Sequence, residues 1–169
     1  MKFLRTLIAP FLLFIGHATA DPLEVGAEVP AVKSVLDQDG TEIDLGAALA
    51  EGTALVYFYP KANTPGCTKQ ACNLRDAFEK LTEAGIKVYG VSTDKPEAQK
   101  KFQADHRIPF TLLADHDEKV CTAFGVGMMA MGFAMRQSFL VRDGKVIWRD
   151  LTATPTTQAE DALAAAKAE

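Results

Sequence analysis

Two of the three cysteines in this 169-residue chain, Cys67 and Cys72, stand five residues apart just beyond a Thr-Pro-Gly turn. Cys67 follows a strand-like run and falls in the first turn of an apparent helix. Unpaired backbone N–H groups and the positive end of the helix dipole favour an anion there, and for cysteine that anion is the thiolate, the reactive form. Ionisation alone gains little. Moving a thiol from about 8.5 to about 6 raises its thiolate fraction at pH 7 only about thirtyfold, and lower basicity costs nucleophilicity. A fast reaction needs neighbours that stabilise its transition state.

The spacing constrains what the pair can do. On an ideal helix, positions i and i+5 differ by about 140° and lie roughly 8.6 Å apart between Cα atoms, whereas a disulfide needs about 4.4 to 6.8 Å. A static structural bridge is disfavoured, and a cycle in which the helix opens locally is favoured. Metal chemistry finds no support. The next ligand of a plant-type iron–sulfur pattern falls on Arg75, and His106 and His116 offer no zinc-like spacing. No metal and no cofactor are expected. Upstream, Thr64 sits on a loop held by Pro60 and Pro65. Its hydroxyl can donate to and accept from a bound oxygen, or "NTPG" is simply a turn with Thr64 capping the helix. Pro60, having no N–H, can wall the site.

Elements must hold these groups in place. Residues 53–59, "TALVYFY", are aromatic and β-branched between Gly52 and Pro60, and read as a buried central strand. Ala71, Leu74, Phe78 and Leu81 recur at helical spacing, predicting one helix over 67–84 stopped by Gly85. Strands are expected at 32–36 and 41–44, paired across Asp39-Gly40, and at 87–92, 110–113, 138–141 and 145–149, the last two across Asp143-Gly144. Helices are expected at 96–106, 118–124 and 157–167. Alternating strands and helices give an α/β fold with a central mixed sheet flanked by helices.

The stretch "YPKANTPGCTKQAC" resembles the active-site segment of the peroxiredoxins, whose P-x3-T-x2-C motif is matched by Pro60, Thr64 and Cys67. Cys72 makes it similar to the bacterioferritin comigratory protein, or peroxiredoxin Q, branch. The likeness runs from Pro30 to about Trp148, through "VYGVSTDKPEAQKKF", "IPFTLLAD" and "MRQSFLVRDGKV". It implies a thioredoxin fold and reduction of hydroperoxides, with Cys67 peroxidatic, Cys72 resolving and a transient Cys67–Cys72 disulfide. It also implies an arginine beside the sulfur, which maps onto Arg136 before "SFLV". Two features depart from the pattern. Gln70 stands where many relatives carry Glu, so the support of Arg136 loses a charge. The apolar stretch "GVGMMAMGFAM", 125–135, holds Met128, Met129, Met131 and Met135, either as an adaptable collar or as packing or a flap. Cys121, in "EKVCTAFGV", reads as a small buried hydrophobe rather than a second resolving thiol, and Trp148 as strand packing.

Residues 1–20 read as a signal peptide, with Lys2 and Arg5, an apolar run and an Ala-Thr-Ala cleavage site. The run is too short to span a bilayer. The domain is then 21–169, exported and periplasmic, a monomer without stable membrane association. Without Lys2 and Arg5 the net charge of −4 becomes −6, which argues against nucleic acid as a partner. The expected partners are a hydroperoxide and a thioredoxin-like dithiol protein that reduces the enzyme. Two rival readings remain. One is a thioredoxin-like disulfide exchanger, weakened by the absence of C-x-x-C. The other is a thioredoxin-fold binding module with a structural cystine.

Overall fold

A computed structural model describes residues 21–168, so the leader expected over 1–20 lies outside the described residues. Among the described residues nine strands form in chain order: β1 (Val35–Asp37), β2 (Glu42–Ile43), β3 (Thr53–Phe58), β4 (Ile86–Ser92), β5 (Thr111–Ala114), β6 (Met128–Met129), β7 (Phe133–Ala134), β8 (Ser138–Arg142) and β9 (Lys145–Asp150). Six α-helices accompany them: α1 (Leu45–Leu49), α2 (Pro65–Asp76), α3 (Phe78–Glu83), α4 (Pro96–His106), α5 (Lys119–Phe124) and α6 (Gln158–Lys167). Seven strands make one sheet in the order β2-β1-β5-β4-β3-β8-β9. β3, β4 and β5 run parallel, and β1, β8 and β9 join antiparallel, so the sheet is mixed as expected.

The side-chain alternation of β3 divides the core. Ala54, Val56 and Phe58 face one layer with Leu45, Leu49, Val120, Cys121 and Phe124. Leu55, Tyr57 and Tyr59 face the other with Cys67, Ala71, Leu74, Leu81, Phe102, Ala159 and Ala162. Residues 54–58 are at most 2% exposed, which their unbroken apolar run anticipates. The exact centre of the sheet, however, is β4; β3 stands next to it.

Three elements differ from, or add to, the sequence reading. The helix expected over 67–84 starts earlier, at Pro65, and breaks at Ala77, where the backbone (φ −100°, ψ 6°) separates α2 from α3. No Gly or Pro marks that break, so the apolar period runs through it unchanged. α1 was not anticipated: five residues are too few to show a period. Its signal is Asp44, whose carboxylate accepts the Ala47 N–H at 2.8 Å. The methionine stretch, read as a collar, as packing or as a flap, is built as a short hairpin, β6 paired with β7. Its tip turns through Met131 and Gly132, both in the left-handed region at φ 67° and 74°.

Candidate active site

The carboxyl end of β3 and the start of β8 are adjacent because those strands pair antiparallel, Tyr57 opposite Ser138. The Phe58 N–H donates to the Gln137 carbonyl at 2.7 Å. Whatever follows β3 therefore lies beside whatever precedes β8. The chain leaves β3 through Tyr59 and Pro60 and enters α2 with Pro65 as its first residue, a position that wastes no N–H. Arg136 precedes β8 by two residues. This topology brings Cys67 and Arg136 together across 69 residues, with Arg136 Nη2 donating to Cys67 Sγ at 3.4 Å.

Cys67 lies in the first turn of α2 and is 1% exposed. A guanidinium at hydrogen-bond distance, added to the helix N-terminus, stabilises negative charge on that sulfur. Gly66 eases the approach: a Cβ there would sit 3.2 Å from Arg136 Nη2, close enough that the guanidinium would have to give by a few tenths of an ångström. Sequence reading assigned Gly66 no role, and its only signal is its place in the motif. Gln70, fully buried, accepts a hydrogen bond from Arg136 Nη1 through Oε1. A neutral amide thus holds the guanidinium, without the charge whose loss the sequence already marked.

The loop between β3 and α2 is fastened on several sides. The Tyr59 N–H donates to the Val91 carbonyl at 3.0 Å, and the Ala62 N–H to Asp94 Oδ2 at 2.7 Å. The Tyr59 hydroxyl donates to Gln99 Oε1, while Gln99 Nε2 reaches Ser92 Oγ and the Leu113 carbonyl, each at 2.9 Å. Asn63 takes a left-handed φ of 59°, and its Oδ1 lies 2.9 Å from His106 Nε2. His106, set aside as a metal ligand, braces the loop instead.

Thr64 is half-buried and occupies the N-cap position, but its hydroxyl makes no cap bond. The proton goes to the Lys61 carbonyl at 2.9 Å. With that donor committed, the oxygen faces a ligand only as an acceptor, narrower than the two-way role its type allows. Pro60 is half-buried at the exit from β3. Burial pushes the Tyr57 and Tyr59 phenols up, so both stay neutral and neither serves as a base.

Cys72 is half-buried further along the same unbroken helix, and all three cysteines are free thiols. Cys121 belongs to the opposite face of the sheet, in the layer with Phe58 and Phe124. Burial, followed by the Asp115 carboxylate, pushes its thiol up. Asp115 accepts the Val120 and Cys121 N–H groups at 2.9 and 2.8 Å. The methionine hairpin borders the active-site loop: Lys61 Nζ stands 5.0 Å over the Phe133 ring, and Thr93 Oγ1 donates to the Gly132 carbonyl at 2.8 Å. Met131 at its tip is 88% exposed.

The sequence profile of the AhpC/TSA family matches residues 25–149. Peroxiredoxin Bcp of Escherichia coli (strain K12) is 49% identical over 106 residues, covering 63% of this chain and 67% of that protein. The crystal structure of peroxidoxin BcpB from Mycobacterium tuberculosis superposes with a TM-score of 0.80 at 33% identity, covering 86% of this chain and 97% of that one. The bacterioferritin comigratory protein of Xanthomonas campestris, described for its alkyl peroxide reduction activity, gives a TM-score of 0.77 at 30% identity, covering 86% and 98%.

Proposed function

The chain belongs to the AhpC/TSA family, in its Bcp and peroxiredoxin Q branch, and we propose that Cys67 is the thiol with which it reduces hydroperoxides. The protein is a thiol peroxidase with a peroxiredoxin-type thioredoxin fold. One observation carries the residue assignment: the Arg136 guanidinium 3.4 Å from the buried Cys67 sulfur at the start of α2. The Cys67 thiolate attacks the terminal peroxide oxygen. An S–O bond forms, the O–O bond breaks, and the leaving oxygen takes a proton to become water or alcohol. The sulfur, oxidised by two electrons, becomes a sulfenic acid. Arg136 stabilises charge on the oxygens as the O–O bond parts. Thr64 Oγ1 accepts from the peroxide O–H, and Pro60 walls the pocket.

Cys72 then attacks the sulfenic sulfur, forming the Cys67–Cys72 disulfide and releasing water, and an external thioredoxin-like dithiol restores both thiols. With a generic dithiol, the protein should consume hydrogen peroxide and an alkyl hydroperoxide. Insulin reduction without peroxide consumption would instead identify a disulfide exchanger. The pattern over residues 1–20 supports export to the periplasm, where the protein is proposed to act as a monomer off the membrane. Mass spectrometry and sedimentation of protein recovered from its cells should find Asp21 first and a single chain. An intact leader on the recovered protein would overturn the export reading.

A further inference from the structure

A second buried amide lies behind Gln70. Gln70 Nε2 donates to Gln158 Oε1 at 2.8 Å, and Gln158 Nε2 donates to Ser138 Oγ. Gln70, Gln158 and Ser138 are exposed by 0%, 1% and 0%. Gln158 is the first residue of α6, 88 positions beyond Gln70 in the chain. The direction of this chain of bonds is dictated at one end. A guanidinium only donates, so Gln70 must offer it the carbonyl end of its amide. The NH2 end then points at Gln158, which must answer with its own carbonyl and pass its NH2 to the serine. Ser138 both donates and accepts, so it closes the chain without opposing its direction.

We infer that Gln158 is a positioning residue, which locks the Gln70 amide with its oxygen toward Arg136 and so holds the guanidinium on Cys67. The inference rests on the proposed role of Arg136. A carboxylate at position 70 would hold a guanidinium by charge through either oxygen and would have no wrong end. An amide has one. Turned over, it sets NH2 against a donor in a buried site, where an unsatisfied or opposed polar group is costly. Among the described residues no carboxylate pairs with Arg136. The amide therefore secures the cation without neutralising it, and needs a second group to fix its orientation. Gln158 supplies that group from an element that sequence reading took only as a closing helix.

An orienting role for Gln158 and a merely structural one differ in how they respond to the residue at position 70. Gln158→Met, of similar length, should lower the second-order rate of the reduced protein with hydrogen peroxide about tenfold, the worth of one buried hydrogen bond. In a Gln70→Glu background the same substitution should cost less than threefold, because the carboxylate needs no orienting. Stopped-flow tryptophan fluorescence reads the rate, and a thermal melt checks folding. Gln158→Ala is the alternative where methionine does not fit. Equal losses in both backgrounds would make Gln158 a packing residue of α6 and overturn the inference, as would no loss in either. Arg136→Met separates the two levels of the reading. If it leaves the peroxide rate unchanged, the assignment of Arg136 fails and Gln158 falls with it. If it lowers the rate and Gln158→Met does not, only the inference about Gln158 fails.

Discussion

Cys67→Ser should abolish peroxide turnover, while Cys121→Ser should keep it within about twofold, the small scatter usual for a change away from the chemistry. The first expectation rests on electron count as much as on position. The peroxide takes two electrons from the attacking atom, and a serine oxygen has no counterpart of the sulfenic acid in which to leave that oxidation. Arg136 and the helix N-terminus would remain in place around it, so any activity that survives belongs to something other than this site. Cys121 is the informative control because it is equally buried, at 1% against 1% for Cys67. It lies across the sheet from α2, and its thiol is pushed above the usual range by burial and by Asp115. A group whose charged form is disfavoured in this way stays neutral near pH 7, and a neutral thiol is neither nucleophile nor resolving partner. Dithiol-coupled peroxide consumption by the two variants checks the pair. Retained turnover in Cys67→Ser would remove the mechanism, and a large loss in Cys121→Ser would show chemistry on the wrong face of the sheet.

What the sequence made legible follows from the range of each signal. Cys67, Thr64 and Pro60 belong to one short motif, and their order along the chain is also their order in space. Buried strands such as β3 announce themselves through continuous apolar runs, and α4 through Pro96 at its first position. Arg136 was found by resemblance, since nothing local ties it to a cysteine 69 residues away; strand pairing does that. Gln70 was placed beside Arg136 by the same resemblance, but its own partner Gln158 lies beyond any such rule. A glutamine in a helix reads as a solvated residue, and only the packing of α2 on α6 turns both into buried groups with a required orientation. Gly66 was passed over for a similar reason: a glycine after proline reads as turn chemistry, whereas here it makes room for a guanidinium. The break at Ala77 left no trace because helix-breaking types are absent and the apolar period continues through it.

The spacing of Cys67 and Cys72 leads to the other large effect, a change of structure on oxidation. Both lie on the intact helix α2 as free thiols, about 8.6 Å apart by helix geometry, so the proposed disulfide forms only if the first turns open. Opening sacrifices the Thr68 N–H bond to the Thr64 carbonyl at 2.8 Å, the Arg136 contacts to Cys67 and Gln70, and the Gln70 link to Gln158. Four such bonds are worth about 4 kcal/mol together. The new cross-link closes a loop of about six residues and returns roughly 2 kcal/mol by restricting the unfolded chain. The losses win. The oxidised protein should melt about 4 to 8 °C below the reduced one and exchange its amides faster over residues 64–74. The effect should also reach α6. Asn73 Oδ1 accepts the Ala159 N–H at 3.0 Å and its Nδ2 donates to the Thr156 carbonyl at 2.9 Å, so α2 caps α6 from outside. If opening extends to Asn73, the first turn of α6 loses that cap and gains exchange in step with α2. Cys72→Ser should abolish both changes and accumulate a sulfenic acid that dimedone labels. Identical exchange over 64–74 in the two redox states would make Cys72 a bystander. The resolving thiol would then have to come from another molecule, because Cys121 faces the opposite side of the sheet.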